Sequence, residues 1–399
     1  MADSPRHAVK SVPWIGVALG VVGAIAAITA AIAAGVTLVV ARTVVTPPTR
    51  RLERTRILSV DAAGDLITLS STPDSRLPGD YSLFFDGEAG HARVGEIVAE
   101  SPDRVIRRLL GVDRGDLARA RRGRFSGWFY TGPGELGFPF ERVDIDTELG
   151  PAPAWLVPTE EPSTRWVIQV HGRAVRKEET LRAVPVFRAA GYSSLLVSYR
   201  NDPGAPASPD GRYGLGDTEW RDVESAVRYA ADHGATDLVL MGWSMGGATV
   251  LQTLTRSPVA GLIRGIVLDS PVIDWVTALG FQGQLLGLPQ PIRSGVIALL
   301  GMKGAGWLTG QLVPIDLPRL DFVRRSAELH VPILLMHSDD DGFIPPSASL
   351  ALAAARPDIV TFERFSVAAH TRLWNFDRDR WNGAIAHWLA TAPLGAPGQ

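Results

Sequence analysis

From residue 141 to about residue 392, unbroken apolar runs alternate with stretches of helical character. The strand-like runs are 166–170, 194–199, 238–243, 265–269, 332–337 and Val360–Phe365. Between and after them lie helix-like stretches at 180–190, 218–231, Met245–Arg256 and 379–390. Strand and helix repeated in this way imply an α/β domain with a mainly parallel, doubly wound sheet. Strands of such a sheet are buried on both faces, which accounts for runs such as Val239-Leu240-Met241 and Ile333-Leu334-Leu335-Met336. About 250 residues suffice for one such domain.

Upstream the texture differs. Residues 11–41 carry no charge, and their centre is almost wholly Gly, Ala, Val, Ile and Leu. A bilayer core needs roughly 20 helical residues, whereas the apolar region of a cleavable signal runs only about 7–15. A retained anchor over 14–41 is therefore expected after a short tail, 1–13. The basic residues Arg42, Arg50, Arg51, Arg54 and Arg56 follow this run, against Arg6 and Lys10 before it. Counted simply, that bias puts the bulk of the chain in the cytoplasm, but a leading helix also enters with its amino end inside, and the side stays open. Residues 42–55, with Thr46-Pro47-Pro48-Thr49, read as a stiff polar linker.

Between 56 and 140, short β-like runs (56–60, 66–69, Tyr81–Phe85, 93–98, 124–130) alternate with turn signals such as Pro78-Gly79 and Asp86-Gly87. A small β-rich domain is expected there. Eight Arg between 104 and 124, interleaved with Asp103, Asp113 and Asp116, read as a solvated face, with a patch for anionic lipid headgroups as the alternative. The chain's 40 basic residues balance 42 acidic ones, so no global field recruits nucleic acid. The absence of Cys removes disulfides, thiolate nucleophiles and Cys-based metal sites.

The chemistry sits in Gly242-Trp243-Ser244-Met245-Gly246, a G-x-S-x-G pattern where one strand ends and a helix begins. A serine held in a strained strand-to-helix turn tolerates only small neighbours on its crowded side. Its hydroxyl needs a base, usually imidazole, oriented by a carboxylate. His370 follows the last strand, at the edge where a doubly wound sheet opens its site. The loop after the preceding strand holds Asp339, Asp340 and Asp341, while Asp269 ends the strand before that.

These residues carry a resemblance. Residues 166–389 resemble the α/β-hydrolase superfamily, and the whole chain looks like its single-span, membrane-tethered serine hydrolases of the BEM46 and monoacylglycerol or lysophospholipid lipase type. The acid-loop pattern H-G-x-x-D-x-x-V-P reads here as His337-Ser338-Asp339-Asp340-Asp341-Gly342-Phe343-Ile344-Pro345. The resemblance thus implies Asp341 as the acid, with Asp339, Asp340 and Asp269 as rivals, and Gly342 lets the loop turn back. His171-Gly172 resembles the oxyanion-loop pair, implying N–H donors at Met245 and Arg173, with His171 itself structural. Tyr199 to Gly204 resemble a turn region. Residues 271–330 occupy the usual place of a cap over an acyl pocket.

The reading that results is a catalytic domain at 141–392, followed by a tail at 393–399. Ser244, His370 and Asp341 form its triad, and Met245 and Arg173 its oxyanion hole. No metal or organic cofactor is required. The expected substrate is a small-molecule or lipid ester, of monoacylglycerol or lysophospholipid type, cleaved through an acyl-enzyme by a membrane-anchored enzyme. A serine aminopeptidase of the same fold and a catalytically dead tethered module are the alternatives. Because every candidate catalytic residue lies beyond Trp166, the anchor is expected to be dispensable for activity in solution.

Overall fold

The computed structural model describes residues 14–61 and 63–394, with only the helical backbone for 14–27. The expected tail 1–13 and all but two residues of the expected tail 393–399 lie outside the described residues. The apolar run forms helix α1 (Trp14–Val45), four residues longer than the expected anchor. One face of its last turns is an intramolecular contact. Ala33, Val36, Thr37, Val40, Ala41, Val44 and Val45 are half-buried or buried, a spacing of three and four that marks a single helical stripe.

A closed six-stranded barrel follows, in the order β1-β2-β5-β4-β3-β6. Its strands are β1 (Thr55–Val60), β2 (Leu66–Ser70), β3 (Tyr81–Phe85), β4 (Gly90–Glu100), β5 (Arg104–Arg114) and β6 (Arg122–Ser126). Closure leaves no sheet edge exposed. The Arg-rich stretch expected as a solvated face is in part strand β5, with Val105, Arg107 and Leu109 facing inward. Arg107 is 0% exposed, and its guanidinium donates to the carbonyls of Gly95, Ser75, Leu77 and Gly79. A buried charge is tolerated when its donors are satisfied in this way.

The second body is an eight-stranded sheet in the order β14-β13-β12-β11-β9-β10-β8-β7. Its antiparallel edge is β7 (Glu141–Thr147) and β8 (Gly150–Val157). The remaining strands, β9 (Arg165–Val170), β10 (Ser193–Val197), β11 (Asp237–Trp243), β12 (Ile263–Asp269), β13 (Ile333–Ser338) and β14 (Val360–Phe365), pair in parallel. Helices α2 (Val184–Ala189), α3 (Trp220–Asp232) and α4 (Met245–Arg256) alternate with them. Between β12 and β13 the chain forms α5 (Trp275–Leu285), α6 (Gln290–Gly301) and α7 (Gly306–Thr309), the segment expected as a cap. Helices α8 (Ser347–Ala355), α9 (Leu373–Phe376) and α10 (Arg378–Thr391) complete the domain.

Helix α1 lies against α6 and α7. The contact is close: a Cβ on Gly295 of α6 would sit 3.1 Å from a methyl of Thr37. Ala41 and Val45 belong to the same core cluster as Ile168, Leu240 and Leu268 of the central strands. The end of α1 is thus part of the α/β body.

Candidate active site

The turn from β11 into α4 holds Ser244 at φ 51°, ψ −117°, outside the regions that non-Gly residues favour. Sterics explain the neighbouring glycines. A Cβ on Gly242 would lie 2.5 Å from the Gly246 carbonyl oxygen, and one on Gly246 would lie 2.2 Å from that of Val170.

Ser244 Oγ lies 2.9 Å from His370 Nε2, and His370 Nδ1 lies 2.7 Å from Asp341 Oδ2. The serine comes from the end of β11, the acid from the loop after β13 and the histidine from the loop after β14, so the carboxyl ends of three strands of one parallel sheet deliver them to one edge. Asp341 is fixed on both oxygens. Its Oδ1 accepts the N–H groups of Phe343 and Ile344, each at 2.9 Å. Its Oδ2 is also 3.2 Å from His337 Nε2. Burial alone would raise its pKa, but His370 and His337 outweigh burial and hold it well below the ordinary carboxylate value.

The rival acids have other partners. Asp339 pairs with Arg364 at 2.8 Å, and Asp340 accepts the Val367 N–H at 2.6 Å. Asp269 is buried, accepting from Trp381 Nε1 at 2.9 Å and Ser270 Oγ at 2.9 Å, and burial raises its pKa. Gly342 does not make the expected special turn, since its φ is not positive. The Asp341 side chain bends the loop by capping the two N–H groups that follow.

Sequence reading missed what holds the loop after β9. His171 is buried and stacked on Tyr199, with ring centroids 4.3 Å apart. Its Nε2 bonds Asp202 at 2.7 Å and its Nδ1 bonds the Gly172 carbonyl at 2.9 Å. Burial opposes its charge, yet Asp202 and the Gly172 carbonyl hold its pKa above the ordinary value. Tyr199 Oη donates to the same Gly172 carbonyl at 2.8 Å, so the supposed turn region begins with a buried packing residue. Carbonyl and N–H project from opposite edges of a peptide plane. With the Gly172 carbonyl held by His171 and Tyr199, the Arg173 N–H points the other way. Among the described residues, neither it nor the Met245 N–H donates to a protein acceptor. Glu179, also buried, accepts the Gly172 N–H at 3.2 Å.

Gly172, Arg173, Glu179, Ser244 and His370 line a cavity of about 490 Å³. One flank is apolar: Val44 of α1 with Trp275, Ala278, Leu279, Phe343 and Ile344. Asp74, Arg124 and Trp128 from the barrel side also line the cavity, together with Arg372. Access distinguishes this site from a second Ser–His–Asp chain in the barrel wall. There His91 lies 2.7 Å from both Ser82 and Asp113, but Ser82 is 0% exposed and no substrate carbonyl can reach it.

The alpha/beta hydrolase family matches residues 166–393, more than half of the chain, and the chain belongs to that family. Residues 56–126, the barrel, match a domain family described as of unknown function. No curated protein matches the chain. Among solved structures it is similar to an esterase from Pyrococcus furiosus, at 18% identity and a TM-score of 0.52, covering 66% of this chain and 95% of that one. A second crystal form of that esterase gives 18% identity and 0.51, covering 66% and 96%. At this identity the likeness shows the fold.

Proposed function

We propose that the chain is a membrane-anchored serine hydrolase of carboxylic esters, with Ser244 as nucleophile. The observation that carries this reading is the unbroken Ser244–His370–Asp341 hydrogen-bond chain opening onto a cavity with an apolar flank. Ser244 Oγ attacks the ester carbonyl while His370 Nε2 takes its proton, and Asp341 stabilises the imidazolium. The N–H groups of Met245 and Arg173 receive the developing oxyanion. His370 returns the proton to the leaving alcohol, and water then releases the acyl group from Ser244.

The apolar flank suits a lipid-like acyl chain of the monoacylglycerol or lysophospholipid kind, in line with the subfamily resemblance. Membrane attachment is supported by α1, whose segment Ile28–Val45 has a mean hydropathy of 2.0 and few buried residues. The first half-buried side chain described is Ala33. Ahead of it run roughly 19 helical residues, about 28 Å at 1.5 Å each, close to the thickness of a bilayer core. The test is labelling of the full-length protein by a fluorophosphonate, together with release of alcohol from activated acyl esters. Both should disappear in Ser244→Ala, and undiminished labelling of that variant would remove Ser244 from the mechanism.

A further inference from the structure

The last turn of α1 and the segment after it grip the loop whose N–H is assigned to the oxyanion. Arg173 sends its side chain back to α1, with Nε donating to the Val44 carbonyl at 2.9 Å. Its Nη2 donates to the Thr43 carbonyl at 2.7 Å and to that of Thr46 at 3.4 Å. Terminal helix carbonyls lack intrahelical partners and carry the negative end of the macrodipole, so a guanidinium suits them. From the same stretch of chain, Arg51 Nη2 donates to the carbonyl of Ala174 at 2.8 Å. Ala174 has φ 61°, so the loop turns sharply right after Arg173. Val44 itself lines the cavity beside Arg173, Ser244 and His370.

We infer that residues 43–51 are a working part of the active site: by holding Arg173 and Ala174 they set the position of the Arg173 N–H. This rests on the serine-hydrolase reading above. The Arg173 guanidinium is then a positioning group, distinct from the main-chain N–H of the same residue. Docking of α1 has separate support. The Tyr213 N–H donates to the Val45 carbonyl at 2.8 Å, Arg212 bonds Thr46, and Ala41 and Val45 are buried. Removing the guanidinium therefore loosens the loop while α1 stays in place.

The experiment uses the full-length protein in detergent with a short, water-soluble activated ester. Arg173→Met keeps the aliphatic stem and should lower kcat about 10- to 100-fold, short of the 10²–10³ typical for outright loss of an oxyanion donor. KM should stay within about twofold and the unfolding temperature close to that of the parent. Arg173→Lys, which can still donate to helix-end carbonyls, should recover most of the loss. If Arg173→Met keeps kcat within about twofold of the parent, the inference is overturned. Should that variant fail to fold, Arg51→Met tests the loop from its other side, where the same selective loss of kcat is expected and an unchanged kcat overturns the inference. Ser244→Ala run in parallel separates the two levels. Activity surviving in Ser244→Ala sinks the serine-hydrolase reading and this inference with it, whereas an inactive Ser244→Ala beside a fully active Arg173→Met sinks the inference alone.

Discussion

Ser244 is held in a backbone conformation that costs free energy, and the His370–Asp341 pair behind its hydroxyl is tied down by further contacts. Asp341 shows this best, because its four contacts leave it no freedom to swing away from His370. Asp341→Asn should lower kcat by about 10⁴, since an amide favours the wrong imidazole tautomer. Asp339→Asn, Asp340→Asn and Asp269→Asn should stay within about tenfold, because their partners are Arg364, Val367 and Trp381. Measuring kcat for the four variants on one activated ester decides among them, and a crippled Asp269→Asn would move the acid one strand earlier. The depressed pKa of Asp341 also fixes a sign for stability. Its ionised form contributes fully above about pH 4, and that contribution fades as pH falls through the lower folded-state value. The unfolding free-energy gap between parent and Asp341→Asn, measured in urea from about pH 6 downward, should therefore shrink on acidification; a widening gap would contradict the assignment. Ser244 and His370 were legible because strand ends and chain order place them, whereas Asp341 was singled out among three adjacent carboxylates only by the acid-loop pattern of the resembled family. His171 was read as structural but without its partners, because Tyr199 and Asp202 meet it only when separate strand ends converge, and the i,i+4 contact of His337 with the acid depends on how the loop between them turns.

Helix α1 serves two neighbours along its length, and its composition does not announce the change. Packing on lipid and packing on apolar protein call for the same side chains, so a run of Ala, Val and Leu reads as anchor throughout. The expectation that the anchor is dispensable for activity did not include Ala41 and Val45, which are 0% exposed within the α/β core. Removing residues 1–32 should leave the fold intact, whereas removing 1–45 uncovers Val296 and Leu300 of α6 and takes two side chains from the core. By the cost of emptying core positions the longer deletion should lose at least about 2 kcal/mol. Denaturant midpoints of the two truncations measure the difference, and equal midpoints would show that the α1 contact contributes nothing. Strand β5 was hidden for a related reason. Alternation of Val105, Arg107 and Leu109 is a strand signal only if Arg107 counts as an inward residue, and its four carbonyl partners are far apart in sequence. Strand β8, second from the edge, was masked by Pro151 and Pro153, which precede the stretch, Ala154 to Val157, registered with β10.

At the scale of the whole molecule, the cavity belongs to no single body. Helix α1 supplies Val44 and α5 supplies Trp275, Ala278 and Leu279. The acid loop contributes Phe343 and Ile344, and the barrel side adds Arg124, Trp128 and Asp74. The family match over 166–393 covers neither the first nor the last of these walls. The sequence could show a cap segment and a small β-rich domain but not that both line one cavity with Ser244. This division into an apolar and a charged flank makes a prediction about substrates. If the acyl chain lies along α1 and α5, each methylene buried there contributes about 0.8 kcal/mol, or roughly fourfold in kcat/KM. For a series of nitrophenyl esters kcat/KM should climb by up to that factor per methylene from acetate onward. It should level off once the chain fills the apolar part of the roughly 490 Å³ cavity. Ala278, 1% exposed beneath that flank, is the place to shorten it. Ala278→Phe should move the plateau to shorter chains while leaving kcat/KM on acetate within about threefold, since the added ring fills acyl space away from Ser244. Rates measured for both proteins across the series settle the matter. A parent enzyme that prefers acetate, or an Ala278→Phe variant that loses all chain lengths equally, would place the acyl group elsewhere.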